Sequence, residues 1–382
     1  MSSHLPISRR TALGFMGAMS VGSLYTGSHA NALKDKKFIF ILLRGAMDGL
    51  SALVPDDTKI RIMRRSLLLS TKEHHNLQNG FLLHPSFSNL KTLYEAGDAT
   101  FIHAASTPYR NRSHFDGQDY LEVLGANNLS DGWMNRVLSS HGGKGLAIAR
   151  AIPISMVGTA PVSNWSPPLF DAVPENLLEQ LTDLYSSDPQ LAASLRDAKS
   201  NQLTIPINPA DARKFSFKYP IALAALGRLM SAEGGPNVGM VGLEGWDTHA
   251  NQAGALNRKF KSLDDGLLDL KQELGPHWEN SCIVVCSEFG RTVEVNGTRG
   301  TDHGTGGLMM LLGGAVDGGN IKGDWPGIQK KDLYQGRDLA PANDVTAVLK
   351  GVLRDHLGID RQTLDTKIFP NSSRAFDGLI QS

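Results

Sequence analysis

Residues Ser281–Gly307 read SCIVVCSEFGRTVEVNGTRGTDHGTGG. The first six, Ser281–Cys286, are short, apolar and rich in β-branched residues, the pattern of a buried strand. A carboxylate, Glu288, follows just past the strand's end. A loop with glycine and asparagine then carries Asp302-His303-Gly304. In open α/β sheets, ligands bind outside the carboxyl ends of the strands. Acidic and imidazole side chains gathered there predict a metal or acid–base site. Taken alone, the cluster reads equally well as a solvated loop. Three other stretches end in the same chemistry and shift the balance.

The first is Lys37–Leu43, KFIFILL, a continuous apolar run of the kind found in central parallel strands. It ends in Arg44-Gly45-Ala46-Met47-Asp48-Gly49, where glycines bracket an aspartate beside an arginine. An Asp-Gly dipeptide also favours plain turns. The second, 99–104, ends in Ser106-Thr107-Pro108-Tyr109-Arg110-Asn111-Arg112-Ser113-His114. Ser113 is a good N-cap for a helix running to about Leu124. A helix N-terminus holds anions and can activate a hydroxyl. Arg110 and Arg112 nearby favour that reading over a plain cap. His114 reads as a general acid or base, or as a solvated first-turn histidine. The third strand, 237–243, ends in Glu244-Gly245-Trp246-Asp247-Thr248-His249. Two residues apart in an extended loop, Asp247 and His249 can turn toward one ion.

Between these lie helical patterns. Phe87, Leu90, Leu93 and Tyr94 recur at helical spacing in a helix begun by His84-Pro85, and 256–274 is amphipathic. Residues 164–168 read as a loop and 317–327 as a glycine-rich turn region. Residues 175–197 and 209–232 read as helices without chemistry. They predict a helical insertion over about 170–235, a cap above the site. A final helix is expected over 344–357.

The chain has 382 residues, enough for one large α/β domain, with Lys+Arg and Asp+Glu both 38. A net charge of zero without a basic cluster points away from nucleic acid. Residues 1–32 read as an export signal: Arg9-Arg10, a mildly apolar segment, then small-residue cleavage sites at 28–32. The paired arginines are of the twin-arginine type, whose machinery exports folded proteins, and they predict a periplasmic or otherwise exported protein. The segment is too short and polar for a stable membrane span, which needs roughly 20 mainly apolar residues. The two cysteines, Cys282 and Cys286, are four apart on one strand. They would lie about 13 Å from each other at the rise of a strand, too far for a disulfide.

Asp48, Asp247, His249, Glu288, Asp302 and His303 are therefore the candidate ligands of a divalent metal: zinc, manganese or calcium. The segments LLRGAMDGLS, RSHFDGQD, GWDTH, SEFGRT, TDHG and DLYQGRDLAPANDV resemble the exported family named domain of unknown function 1501. That family resembles the alkaline phosphatase and sulfatase superfamily. The resemblance implies a mainly parallel sheet sandwiched between helices in a single domain over 33–382. It also implies a metal-supported site and a hydroxyl nucleophile at a helix N-terminus, matched by Ser113. Asp48 resembles the first-strand metal aspartate, Asp247 and His249 the aspartate–histidine pair, and His303 the late metal histidine. Phe289 stands where a histidine is common, which leaves one metal or a vestigial site as alternatives to two. Ser106 to Arg110 also resembles the sulfatase Ser-x-Pro-x-Arg pattern and makes Ser106 a rival nucleophile. The expected function is an exported metal-dependent hydrolase acting on a small anionic ester of phosphate or sulfate, with Arg44, Arg110 or Arg112 clamping the anion. The alternative is a binding or assembly protein that keeps the fold without the chemistry.

Overall fold

The apolar run Lys37–Leu43 forms β1, buried along its whole length. Alternation along a strand sends neighbours to opposite faces. Ile39, Ile41 and Leu43 enter one hydrophobic core, while Phe38, Phe40 and Leu42 enter another. A strand buried on both faces belongs at the centre of a layered domain. The computed structural model describes residues 35–68, 73–125, 129–166, 175–186, 188, 192, 195, 196 and 218–381. The expected export signal and much of the expected insertion lie outside the described residues. Among the described residues, no helix is long and apolar enough to cross a membrane.

Three short strands, β2 (Leu53–Pro55), β3 (His75–Asn76) and β4 (Phe81–Leu83), form a small antiparallel sheet. The main sheet adds to β1 the strands β5 (Ala99–Ser106), β6 (Gly145–Ile148), β7 (Val162–Trp165) and β8 (Val238–Leu243). It is completed by β9 (Ser281–Cys286), β10 (Gly307–Leu312), β11 (Asn320–Lys322) and β12 (Asn343–Asp344). Its order is β11-β5-β10-β9-β1-β8-β6-β7, with β12 also on β5. All pairings are parallel except those of β10, which runs against both β5 and β9. The reversal matters: the start of β10 lies at the edge where β1, β5, β8 and β9 end.

Helices among the described residues include α1 (Gly49–Ala52), α2 (Thr58–Met63), α3 (Ser88–Glu95), α4 (His114–Val123), α5 (Trp133–His141), α6 (Glu175–Tyr185), α7 (Tyr219–Ser231), α8 (Gln252–Leu274) and α9 (Val345–Leu357). Leu90 of α3, Leu226 of α7 and Leu263 of α8 pack on one face of the sheet. Leu121 of α4, Val137 of α5 and Val348 of α9 pack on the other. Trp133 sets its ring edge-on to Phe38 and Phe40, with centroids 6.0 and 5.2 Å away. Truncating such a ring in a core costs about 3–5 kcal/mol. The result is the expected α/β architecture, a mainly parallel sheet between two helical layers.

Four local expectations change. Asn164 and Trp165 belong to strand β7 and not to a loop, because β6 offers them a parallel partner at the sheet's edge. The region 317–327 contains β11, which pairs with β5. Helix α3 starts at Ser88, where the Asp264 carboxylate of α8 accepts from the Asn89 and Leu90 amides at 3.0 and 2.8 Å. Finally, α7 packs into the helical layer against the main core, so the expected cap does not extend over 219–231.

Candidate metal centre

One atom organises the edge where the strands end. Asp247, just past β8, points Oδ1 at four side chains. Arg291 Nη2 lies 2.6 Å away, His249 Nε2 2.9 Å, His114 Nε2 3.2 Å and His303 Nε2 3.3 Å. The Nε2 atoms of His249 and His303 are 3.0 Å apart. Among the described residues, His114, Asp247 and His303 form the group whose ligand atoms all lie within 4.8 Å of one another.

The opposite ring nitrogens each meet an acceptor. His303 Nδ1 lies 2.7 Å from the Arg112 carbonyl, His114 Nδ1 2.7 Å from Glu288 Oε1, and His249 Nδ1 3.2 Å from Asp302 Oδ1. Carbonyls and carboxylates accept; with a proton on each Nδ1, each neutral ring turns its Nε2 lone pair inward. Three lone pairs and a carboxylate oxygen then converge. They repel one another unless a proton or a cation lies among them. Histidines that bind metals are usually held this way, with the second ring nitrogen donating to a carboxylate or carbonyl. Nitrogen and oxygen donors of this kind suit zinc or manganese, so the residues fit a divalent cation.

The local backbone explains the convergence. Gly290 N donates to Thr305 O and Gly304 N to Gly290 O, at 2.9 and 2.8 Å, and Arg291 bridges His303. The loop between β9 and β10 thus folds back as a hairpin and sets Asp302-His303 beside Glu288. Arg112 adopts φ +58°, uncommon for a residue with a side chain. Its carbonyl meets His303, so the turn serves the site. Gly45, at φ +109°, donates its N–H to Glu288 Oε1 at 2.9 Å, and a Cβ there would sit 2.5 Å from the Asp247 amide nitrogen. Only glycine fits.

Charge follows the geometry. Burial raises the Asp247 carboxyl, but the hydrogen bond and charge of Arg291, with His114, outweigh it and bring it down to about 2. Burial disfavours the His114 imidazolium, yet Glu288 and Asp247 more than offset this and raise its pKa. Burial, with the charges of His114 and Arg291, lowers His303 despite the Arg112 carbonyl. Glu288 is held below the usual carboxylate range: burial opposes the shift, and the bonds from His114, Gln118 and Gly45 overcome it.

The other sequence candidates fall into three groups. Glu288 and Asp302 reach the centre from behind, each holding a histidine. Glu288 Oε1 also accepts from Gln118 at 3.0 Å, and Asp302 Oδ1 from Asn296 at 3.0 Å. Asp48 does not join the cluster. It is buried, receives Arg64 Nη1 at 3.0 Å on both oxygens, and accepts from Ser51 Oγ at 3.0 Å and from Gln252. The arginines expected to clamp an anion are engaged by the protein itself. Arg44 donates to Gln118 at 2.6 Å and pairs with Glu122. Arg110 donates to the carbonyls of Thr107 and Tyr109, and Arg112 pairs with Asp338 at 2.7 Å. Ser113 caps α4, accepting from the Asp116 amide at 3.4 Å. Ser106 is buried and donates to its neighbour's carbonyl at 2.9 Å. Phe289 stacks on His114 and tilts against His303, with centroids 5.0 and 5.4 Å away.

Sequence reasoning missed Arg291, Gln118 and Asn296. The signal for Arg291 was its place three residues beyond Glu288 at a strand end. The other two carry no local signal.

No curated protein matches the sequence. The chain is similar to the zinc complex of the C-terminal periplasmic domain of EptC from Escherichia coli, at 10% identity and TM-score 0.36, over 78% of this chain and 77% of that one. It is similar to the lipoteichoic acid synthase LtaP from Listeria monocytogenes, at 8% identity and TM-score 0.38, over 94% and 81%. It is also similar to a putative sulfatase from Bacteroides thetaiotaomicron, at 8% identity and TM-score 0.41, over 90% and 76%. Residues 84–368 match the family described as protein of unknown function DUF1501, and the chain belongs to that family.

Proposed function

We propose that His114, Asp247, His249 and His303 hold a divalent cation, and that the protein is an exported hydrolase of phosphate or sulfate esters. The observation that carries this reading is the inward convergence of three imidazole Nε2 atoms on Asp247, each ring anchored from behind. When bound, such an ion polarises a phosphoryl or sulfuryl oxygen and lowers the pKa of a hydroxyl. The imidazole-rich donor set favours zinc or manganese over calcium. Glu288, Asp302 and the Arg112 carbonyl orient the three rings. Ser113 is the stronger nucleophile candidate, because it lies between Arg112, whose carbonyl holds His303, and His114. Ser106 is tied to a carbonyl. Export rests on the Arg9-Arg10 segment.

The test is elemental analysis of the mature protein, wild type beside His303→Ala and Asp247→Asn, followed by turnover of aryl phosphate and aryl sulfate. Stoichiometric metal in the wild type, reduced in both variants, together with turnover of either ester, supports the reading. No metal after incubation with excess zinc and manganese sinks it. A second reading, a metal-holding protein that binds a partner without turnover, draws on the engagement of Arg44, Arg110 and Arg112 by protein acceptors. Metal without turnover of either ester favours it.

A further inference from the structure

We infer that the centre takes one divalent ion per chain, and that the Arg291 guanidinium fills the place of a second cation. The inference rests on the metal reading above. Arg291 is 2% exposed and donates to nothing but oxygen. Its Nε meets the Ala46 carbonyl at 2.7 Å and its Nη1 the Thr301 carbonyl at 3.1 Å. Its Nη2 meets the carbonyls of Gly45 and Trp246 at 2.7 and 3.1 Å, and Asp247 Oδ1 at 2.6 Å. Four backbone carbonyls and a carboxylate make an oxygen-lined cage, the donor set that hard cations take. Here the cage is filled by a side chain of the chain itself, and its positive charge is permanent.

Charge balance leads to the same count. The carboxylates touching the cluster are Asp247, Glu288 and Asp302. Arg291 and one divalent ion neutralise all three. A second divalent ion would leave two positive charges uncompensated in a half-buried site. The donors agree as well. His114, Asp247 and His303 form one ligand group, and His249 Nε2 adjoins it 3.0 Å from His303 and 2.9 Å from Asp247, a donor set for a single ion. On the Glu288 side, Phe289 lays its ring against His114 and His303 and brings no donor. Glu288 Oε2 is buried without a partner, the one oxygen there that a second ion could use.

The experiment strips the mature protein with chelator, reloads it with cobalt(II), removes the excess, and counts cobalt by elemental analysis alongside the visible spectrum. One cobalt per chain, lost in His303→Ala, is the expected result. Two per chain, with the second lost in Glu288→Gln, overturns the inference and leaves the metal reading intact. None overturns both. In parallel, Arg291→Ala vacates the cage, and calcium should raise the melting temperature of that variant and not of the wild type. A folded Arg291→Ala protein indifferent to calcium and magnesium overturns the role given to Arg291. If that variant does not fold, the cobalt count of the wild type still decides.

Discussion

Two aspartates leave the sheet at the same edge, and each meets a buried arginine. Asp48 and Arg64 are 1% and 0% exposed at the side chain, and Arg64, Ser51 and Gln252 donate to the carboxylate. Arg64 adds bonds to the carbonyls of Val293 and Thr292 at 2.8 and 2.9 Å. At the side chain Asp247 is 42% exposed, while its Arg291 is 0% exposed. Around Asp247 the remaining neighbours are three rings that turn Nε2 inward. The first pair is closed and serves as frame, pinning α1 and α2 to the loop after β9. The second is left open toward solvent and forms the candidate site. Both aspartates follow apolar strands and sit among glycines, so residue type alone does not separate them. The number of protein donors does.

The largest effect should come from the closed pair. Asp48→Ala strands a buried guanidinium and should cost about 3–5 kcal/mol in urea unfolding. Asp247→Ala should cost less, because Arg291 keeps four backbone carbonyls and the place the carboxylate leaves is open to solvent. Equal losses would break the comparison. Next come the residues behind the rings. Glu288→Gln and Asp302→Asn should each weaken metal binding about 10- to 100-fold by competition titration, with the fold retained. An unchanged affinity would mean that the rings hold themselves. Smaller again, Ser113→Ala should lose about 1 kcal/mol as a missing cap. A drop in ester turnover beyond that of a stability-matched cap variant such as Asp344→Ala would separate nucleophile from cap.

The smallest effect is the pH dependence of the metal-free protein. Asp247 has a lowered pKa, so its contribution is full above the ordinary carboxylate range and is lost as pH falls toward about 2. His114 has a raised pKa, so its contribution is full below the ordinary histidine value and is lost as pH rises through the raised one. Solvent screening keeps both modest. Loading metal must expel the His114 proton, so affinity should fall as pH drops through that raised value. An affinity flat with pH would remove His114 from the ligand set.

The layered sheet was legible because β1, β8 and β9 are buried runs whose apolar pattern has no rival reading. That the site lies at strand ends was legible for the same reason. The division of labour within it was not. Glu288 and Asp302 read as ligands and stand one bond further out, a distinction set by hairpin register between residues 290 and 305. His114 read as an acid, a base or a solvated histidine, yet its Nε2 faces Asp247. Asp48 read as a ligand, and only the long-range arrival of Arg64, Gln252 and the carbonyls of 292 and 293 shows otherwise. Buried arginines carry no periodic signal, so Arg64 was invisible and Arg291 showed only in its place at a strand end.

The place of β1 in the sheet has a consequence in time. Its neighbours are β8 and β9, whose paired residues lie 200 and 244 positions further along the chain (Phe38 with Val238, Lys37 with Ser281). At a synthesis rate of about 5–20 residues per second, the strand waits roughly 10–40 s before either partner emerges. For that interval the most apolar segment of the chain has no place to pair, and chaperones or rapid collapse must shield it. Asp247, Glu288 and His303 are made after that wait, so the centre is assembled by the closing steps of folding.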